Sequence, residues 1–399
     1  MTHVIKNDEE AVEVARALAH GFAEGAARRD AERILPVTEL AELSDSGLLG
    51  ITVPAAHGGA GVRTATLGAV IRELSAADAS IGQIPQNHFW YVDAIRENGT
   101  PEQQEYFYRE VLAGRRLGNA AVDARGPDGA REHARLRPHN GGFLISGRKI
   151  YSTGALFAHW IPVVALDGED LHHIAFVPRD TRGLTVVDDW DGMGQRTTAS
   201  GTVLLKDVFV PAGRVMPGVV SEVSTFRSFG LLIHAAIDTG IAEGALAEAA
   251  AFLRGYTKGG WPGREAARVV EDPVVVQRFG ELAVLTRAAR ALLESAGNTV
   301  DEARAAISAA GDDVEEAARW AGEAAVAMAA ARAQADRAAN RVTSEWYELA
   351  GASASPRSLN LDRHWRNART HTIHDPRRLK VHDVGDFHLN GIAPRSNPR

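Results

Sequence analysis

The chain has 399 residues, of which 45% are hydrophobic and 24% charged, and its formal net charge of -7 argues against nucleic acid as a partner. The absence of cysteine excludes disulfides, thiolate catalysis and Cys-ligated metals. No apolar run approaches the roughly 20 residues that cross a bilayer and the N-terminus lacks a signal peptide, so we expect a cytoplasmic protein with no membrane partner.

The first 115 residues show helical spacing of apolar positions, with acidic residues in the first turn of the first segment. We predict helices at about 8–30, 37–47, 64–77 and 80–98. A further helix is expected to begin at Thr100-Pro101, because proline is favoured in the first turn. The N-terminal region is therefore predicted to be all-helical.

From Arg116 to about Met216 the pattern changes to short runs rich in β-forming residues, separated by turns. The predicted strands cover 142–147, 160–166, 174–177, 184–187 and 202–210. No helical segment of 10–15 residues separates them, so the pattern favours an antiparallel sandwich or barrel over a Rossmann unit. We predict a β domain between two helical regions.

Helical periodicity returns after residue 221 and is dominated by alanine and other small residues. The predicted helices cover 228–255, 273–298, 301–310 and 312–348, with a polar loop at 256–272. Such segments pack closely in a bundle or at a subunit interface. The fold class is therefore α+β, with an N-terminal helical domain at 1–116, a middle β domain at 117–218 and a C-terminal helical bundle at 219–399.

The stretch His364–Pro376 concentrates arginine, histidine and aspartate near the end of the chain. If it is helical through Ile373, then His371 and His374 share one face. Asp375-Pro376 should end that helix, because proline disfavours the α conformation in its predecessor. A metal site built from these two histidines and Asp375 is disfavoured, because adjacent helical residues point about 100° apart. We therefore predict no metal.

Four segments resemble the acyl-CoA dehydrogenase superfamily, and they occur in the family's order over essentially the full length. Each motif alone is modest, but the four together are specific. They are Gly50–Pro54 with His57–Gly61, Gly147–Ala155, Gly194–Gly201 running into Asp207–Pro211, and His364–Pro376.

One departure from the dehydrogenases points to a subfamily. The dehydrogenases place a catalytic glutamate in a Y-E-G-T motif, where this chain has His374-Asp375-Pro376. Asp375 aligns with that glutamate, but its side chain is one methylene shorter. The R-x-A-R-T-H-x-x-H-D-P pattern is instead similar to the flavin-dependent monooxygenase branch, which includes dibenzothiophene monooxygenase. Segments 80–89 and 151–160 look most like the SfnB-like sulfur-acquisition oxidoreductases.

The resemblance implies a monooxygenase that uses reduced FMN and O₂ to oxidise a small organosulfur or related compound through a flavin hydroperoxide. A separate flavin reductase would supply the FMNH₂, and the C-terminal helices would build a homotetramer. FAD is the alternative cofactor. Two other functions remain open: an FAD dehydrogenase with Asp375 as its base, and an accessory flavin-binding protein of sulfur acquisition.

The resemblance, together with the residue types, predicts the site residues. His374 is the leading catalytic candidate, with His371 as its partner and His88 closing the pocket from the N-terminal domain. An imidazole suits this chemistry because its unperturbed pKa lies near working pH. The expected contacts to the flavin come from five residues. They are Asn119, Ser152, Thr153, Trp190 and Arg369.

Overall fold

The computed structural model of the chain describes residues 2–218, 221, 223–255 and 268–394. Helices form the N-terminal region, strands the middle and helices the C-terminal region, so the predicted order is confirmed. The alanine-rich segments are helical and the β-branched runs are extended, as their intrinsic preferences require.

The N-terminal region contains seven helices in its described residues. They are α1 Asp8–Ala23, α2 Ala26–Glu32, α3 Val37–Asp45, α4 Thr64–Ala77, α5 Ala79–Gln83, α6 Gln86–Asn98 and α7 Pro101–Leu112. Two helices predicted as continuous are broken. Gly25 adopts a left-handed conformation between α1 and α2, and Pro85 separates α5 from α6. Thr100 and Gln103 form the capping box that begins α7.

The middle region forms one mainly antiparallel sheet in the order β6-β7-β3-β2-β4-β5-β8, with β1 paired to β3. The strands are β1 Val122–Asp123, β2 Arg135–His139, β3 Gly142–Ile150, β4 Trp160–Leu166, β5 His172–Pro178, β6 Leu184–Val187, β7 Thr202–Pro211 and β8 Val215–Pro217. The β2–β4 contact at Arg135 and Leu166 is parallel. Strands β1, β2 and β8 were missed, because β1 and β8 are very short and β2 carries two arginines and a proline.

The C-terminal region packs long helices against the first region. Its helices are α8 Phe226–Gly255, α9 Pro273–Ala310, α10 Val314–Glu345, α11 Tyr347–Ala350, α12 Arg363–Thr372 and α13 Arg377–Asn390. The two helices predicted at 273–298 and 301–310 are one helix. Most of the loop predicted at 256–272 lies outside the described residues.

Helix α8 is the central element of the helical part. It packs against α4 and α10, and its buried residues include His234 and Asp238. By length and composition α8 could span a membrane, which corrects the prediction that no run could. However, 78% of its most apolar window is buried inside the protein, as in a core helix. Helices of the first and last regions therefore share one core around α8.

A separate cluster joins the first region to the sheet. Tyr91 of α6 and Phe107 of α7 pack edge-on or tilted against Phe176 of β5, and Phe107 also meets Trp160 of β4. Aromatic contacts of this kind contribute beyond the area that they bury. This packing places α6, the sheet and α8 around one common space.

Candidate active site

A cavity of about 410 Å³ lies where α6, the sheet and α8 meet. Its apolar walls come from aromatic and β-branched side chains, and its polar groups converge from all three regions. The lining residues are Gln86, Asn87, Trp90, Tyr91, Asn119, Ala121, Val122, Val164, Ile174, Gly218, Ser221, Ser224, Phe226, Arg227, His234 and His374.

Two imidazoles form one wall of the cavity. His374 follows the end of α12, where its backbone N–H donates to the carbonyl of His371 at 3.2 Å. Its ring is exposed to the cavity and stacks on His234 of α8, with the ring centroids 4.6 Å apart. His234 is buried, and it stacks on His371 as well, at 5.1 Å. His371 and His374 therefore share one face, as predicted from their spacing.

His371 does not line the cavity but is buried behind His234. Its Nδ1 lies 2.6 Å from Asp238 Oδ1, and its Nε2 lies 3.1 Å from His234 Nδ1. Asp238 also pairs with Arg332 of α10, and all of these groups are buried. A fully buried carboxylate requires such partners, because an unpaired charge in the interior is costly. His371 therefore orients His234.

The surroundings keep the cavity histidines neutral. Burial lowers the pKa of His234 well below its ordinary value, and the charges of His374 and His371 lower it further. Close packing of protein around His374 lowers its pKa to about 4, with added repulsion from His371 and Arg332. Burial would raise the pKa of Asp238, but Arg332 and His371 outweigh it, so that pKa is lowered. Asp238 is therefore ionised at neutral pH.

Asp375 turns away from the cavity. Its Oδ2 lies 3.1 Å from Nζ of Lys380, whose side chain is buried at the start of α13. Asp375 is absent from the cavity lining. The chain changes direction at Pro376 before α13 begins, so the predicted end of the helix at this point is confirmed. The carboxylate at the dehydrogenase base position is thus an ion-pair partner.

Asn119 also lines the cavity, and both the oxygen and the nitrogen of its side-chain amide are hydrogen-bonded. The Tyr91 hydroxyl donates to Asn119 Oδ1 at 3.0 Å, and Asn119 Nδ2 donates to the carbonyl of Tyr151 at 3.2 Å. Tyr151 adopts a left-handed conformation with φ 54°, which turns the chain directly before Ser152. Asn119 therefore connects the cavity to the Ser152 turn.

The turn after β3 contains two buried hydroxyl groups. Thr153 Oγ1 is 2.7 Å from Ser200 Oγ, which is in turn 2.7 Å from Thr198 Oγ1. Ser152 Oγ is buried without a hydrogen-bond partner in the described part of the chain. A buried hydroxyl without a partner is costly and is uncommon in a finished structure. This atom can accept or donate a hydrogen bond to a cofactor.

Trp190 and Arg369 lie outside the cavity lining. The Trp190 indole donates to the carbonyl of Gln195 at 2.8 Å, and its ring meets Tyr151 edge-on at 6.3 Å. Arg369 is exposed on α12. Its neighbour Arg366 pairs with Asp30 and Asp362, so the charge of that arginine is used within the fold.

His88 has a different environment from the one predicted for a catalytic residue. It is buried, its Nδ1 accepts from the Leu117 N–H at 3.1 Å, and its Nε2 lies 2.9 Å from the carbonyl of Leu49. Both ring nitrogens are thus engaged by backbone groups. Burial lowers the pKa of His88 to about 4. This geometry fixes the first helical region to the start of the β region, and it leaves no ring nitrogen for a substrate.

Sequence reasoning missed Gln86 and His234, which line the cavity, and Asp238, which is buried behind it. A signal was present, since His234 and Asp238 are four residues apart within an apolar helix and so share one face. Polar residues on the buried face of a helix require hydrogen-bond partners, so such a pair indicates a buried polar site. Gln86 carries no comparable signal, because it is the first residue of α6 in an ordinary polar context.

Models of acyl-CoA dehydrogenase domains match most of the chain. The N-terminal domain matches residues 6–115, the middle domain 125–208 and the C-terminal domain 232–376. Curated relatives extend the match to nearly the full length. The probable FMNH₂-dependent monooxygenase SfnC of Pseudomonas putida is 31% identical, with 96% of each chain covered. The dibenzothiophene monooxygenase of Rhodococcus qingshengii is 30% identical, with 97% of this chain and 95% of that protein covered.

Solved structures give the same relationship. The methanesulfinate monooxygenase MsuC of Pseudomonas fluorescens aligns with a TM-score of 0.88 at 31% identity, over 97% of this chain and 98% of that one. TdsC of Paenibacillus sp. A11-2, solved with FMN and indole, aligns with a TM-score of 0.87 at 28% identity, over 97% and 99%.

Proposed function

Because the chain belongs to the acyl-CoA dehydrogenase family, we propose that it is an FMNH₂-dependent monooxygenase that transfers one oxygen atom of O₂ to a small organosulfur compound. The full-length relatives named as monooxygenases support this activity. The observation that carries the proposal is the composition of the cavity wall. His234 and His374 line the cavity, whereas Asp375, the carboxylate aligned with the dehydrogenase glutamate, does not and is paired with Lys380.

That wall argues against the dehydrogenase alternative. Abstraction of a proton from a C–H bond requires a base within hydrogen-bond reach of the substrate. Asp375 is the carboxylate aligned with the dehydrogenase glutamate, but it is paired with Lys380 and does not line the cavity. His374 does line it, but its pKa is lowered to about 4, which makes it a weak base for a C–H proton.

The residues present fit FMN as the cofactor. The partnerless hydroxyl of Ser152 and the hydroxyl of Thr153 lie in one turn, and the carbonyl of Tyr151 links that turn to Asn119 in the cavity. These groups supply hydrogen bonds to a polar ring edge. The exposed Arg369 is proposed to contact the phosphate, and Trp190 to bound the site beyond Tyr151. Reduced FMN, when bound, supplies the electrons that activate O₂.

The protein's own residues shield the site and manage protons. The apolar walls, including Trp90 and Phe226, exclude water from the reacting atoms. His374 is the proposed catalytic residue, because its neutral ring can donate a hydrogen bond from one nitrogen and accept one at the other, and so relay a proton at the cavity without staying charged. His371 acts through His234, and Asp238 holds His371 in place. His88 is reassigned from a catalytic to a structural role.

Three further features belong to the proposal. A separate reductase supplies the FMNH₂, since the name of the SfnC relative specifies that reduced cofactor. The protein is cytoplasmic, where reduced flavin is available. It is a homotetramer built on the C-terminal helices, and the exposed apolar side chains of Val276 and Val284 on α9 favour such an interface.

The test uses purified protein with FMN, NADH and a flavin reductase under air. Methanesulfinate and dibenzothiophene are the probe substrates, chosen to span small and large organosulfur compounds. We expect an oxygenated product from wild type, and a 10²- to 10³-fold lower rate from His374→Ala, an order of magnitude typical for loss of a proton-transfer group. His382→Ala is the matched control, because His382 is exposed on α13.

The outcomes separate the candidate functions. Oxygenated product that depends on His374 but not on His382 supports the monooxygenase. Tight FMN binding with no product from any organosulfur probe would support the accessory flavoprotein. Anaerobic bleaching of bound flavin by an acyl-CoA would establish the dehydrogenase and refute the proposal.

A further inference from the structure

Gln86 is a cavity residue that is hydrogen-bonded to the buried His234. It begins α6, is buried, and places its Nε2 2.9 Å from Nε2 of His234. His234 Nδ1 is 3.1 Å from His371 Nε2, and His371 Nδ1 is 2.6 Å from Asp238. One chain of hydrogen bonds thus runs from the cavity to a buried carboxylate.

The chemistry of the carboxylate gives this chain a direction. An ionised Asp238 can only accept, so Nδ1 of His371 carries a proton and donates it. At the other end, the amide nitrogen of Gln86 faces His234 and can only donate, so His234 accepts at Nε2. His234 therefore carries its proton on Nδ1 and donates it to Nε2 of His371. The side-chain oxygen of Gln86 is therefore the amide atom left to accept a hydrogen bond in the cavity.

The surroundings of these groups are consistent with that direction. Arg332 pairs with Asp238 and favours its ionised form, which can only accept. Burial opposes protonation of His234, and the nearby charges of Arg332 and Lys380 oppose it further. Asp336 of α10 and Asp375 are the other acidic groups nearby, and Asp375 is paired with Lys380.

We infer that Gln86 presents its amide oxygen to the cavity as a fixed hydrogen-bond acceptor, and that it recognises the ring N–H that flavin gains on reduction. This inference rests on the proposed function, which brings reduced FMN to the cavity. Oxidised flavin has a lone pair and no proton at that nitrogen, so the amide oxygen of Gln86 disfavours binding of the oxidised form. Asp238, His371 and His234 are positioning residues, because their proposed effect on the ligand passes through Gln86.

The experiment measures binding separately from turnover. Dissociation constants for FMNH₂ and oxidised FMN are determined anaerobically by fluorescence titration of wild type, Gln86→Met and Gln277→Met. Methionine preserves the length of glutamine but makes no such hydrogen bond. Gln277 is exposed on α9 and serves as the matched control. Melting temperature and circular dichroism confirm that each variant is folded.

We expect Gln86→Met to bind FMNH₂ about threefold to tenfold more weakly, the effect of one lost hydrogen bond, while oxidised FMN binds as before or more tightly. His234→Asn keeps a donor for His371 but is too short to reach Gln86. The His234→Asn variant should therefore also reduce the preference for FMNH₂ over oxidised FMN. The double variant should lose no more than either single one, because both changes act on one contact.

Equal changes for the two redox forms, or no change in Gln86→Met, would overturn the inference. The proposed function survives that outcome if wild type and variant still oxygenate the substrate. Failure of wild type to bind FMNH₂ would instead refute the proposed function, and the inference with it.

Discussion

Replacement of Asp375 with asparagine separates the two chemistries open to this fold. Asp375 Oδ2 lies 3.1 Å from Nζ of Lys380, whose side chain is only 3% exposed. The asparagine side chain would retain an oxygen for that ammonium but lose the charge. A hydrogen bond to a charged group contributes about 1.5–3 kcal/mol, and removal of one partner of a fully buried pair costs about 3–5 kcal/mol. Asp375 is 20% exposed, so we expect a loss of about 1–3 kcal/mol.

The assay compares stability with turnover. Asp375→Asn should melt several degrees below wild type by differential scanning fluorimetry. Its rate of organosulfur oxygenation with FMNH₂ and O₂ should remain within about threefold of wild type, because the carboxylate does not line the cavity. Flavin binding should also be unchanged.

The opposite pattern would refute the reasoning. If Asp375 were a catalytic base, the asparagine variant would lose about 10²- to 10⁴-fold in rate. Such a loss at an unchanged melting temperature would show that Asp375 acts on the substrate and that its pairing with Lys380 is broken in the working enzyme.

Two further predictions concern the buried polar groups. The pKa of His88 is lowered to about 4 in the folded chain, against about 6.5 in the unfolded chain. Between these two values the unfolded state binds more protons, so the free energy of unfolding falls as the pH drops. The complete loss amounts to roughly 3 kcal/mol. His88→Gln should show a smaller loss in urea unfolding between pH 6.5 and pH 4, and an undiminished loss would contradict the assignment. Arg332→Met leaves Asp238 buried without its cation, which should cost about 3–5 kcal/mol and weaken FMNH₂ binding through His371. A variant as stable as wild type would show that the pair contributes nothing.

Much of the fold follows from local pattern. Helix α4 and strands β4 and β6 have the predicted bounds, because each combines strong periodicity with clear end signals. The errors occur where one residue outweighs the pattern. Gly25 and Pro85 break helices that periodicity alone extends. Strand β2 could not be predicted from its polar sequence, because its pairing with β3 and β4 is set by the whole sheet.

The site could be predicted only in part. The spacing of His371 and His374 placed both rings on one face, and the structure brings them to the same partner. That partner, His234, lies 137 positions from His371, and no local pattern reveals such a distance. His88 stands in a motif that resembles a monooxygenase, yet its two ring nitrogens bind the backbone of Leu49 and Leu117. Its position in the motif predicted a catalytic residue that closes the pocket, whereas tertiary packing gives both ring nitrogens backbone partners.

The most direct test of the account is the origin of the oxygen in the product. Wild type is supplied with FMNH₂ and ¹⁸O₂ in unlabelled water, and the oxygenated organosulfur product is analysed by mass spectrometry. A monooxygenase whose chemistry depends on His374 should incorporate one ¹⁸O atom per turnover, with labelled product nearly absent in His374→Ala. Unlabelled product, or labelled product formed equally by the alanine variant, would contradict it.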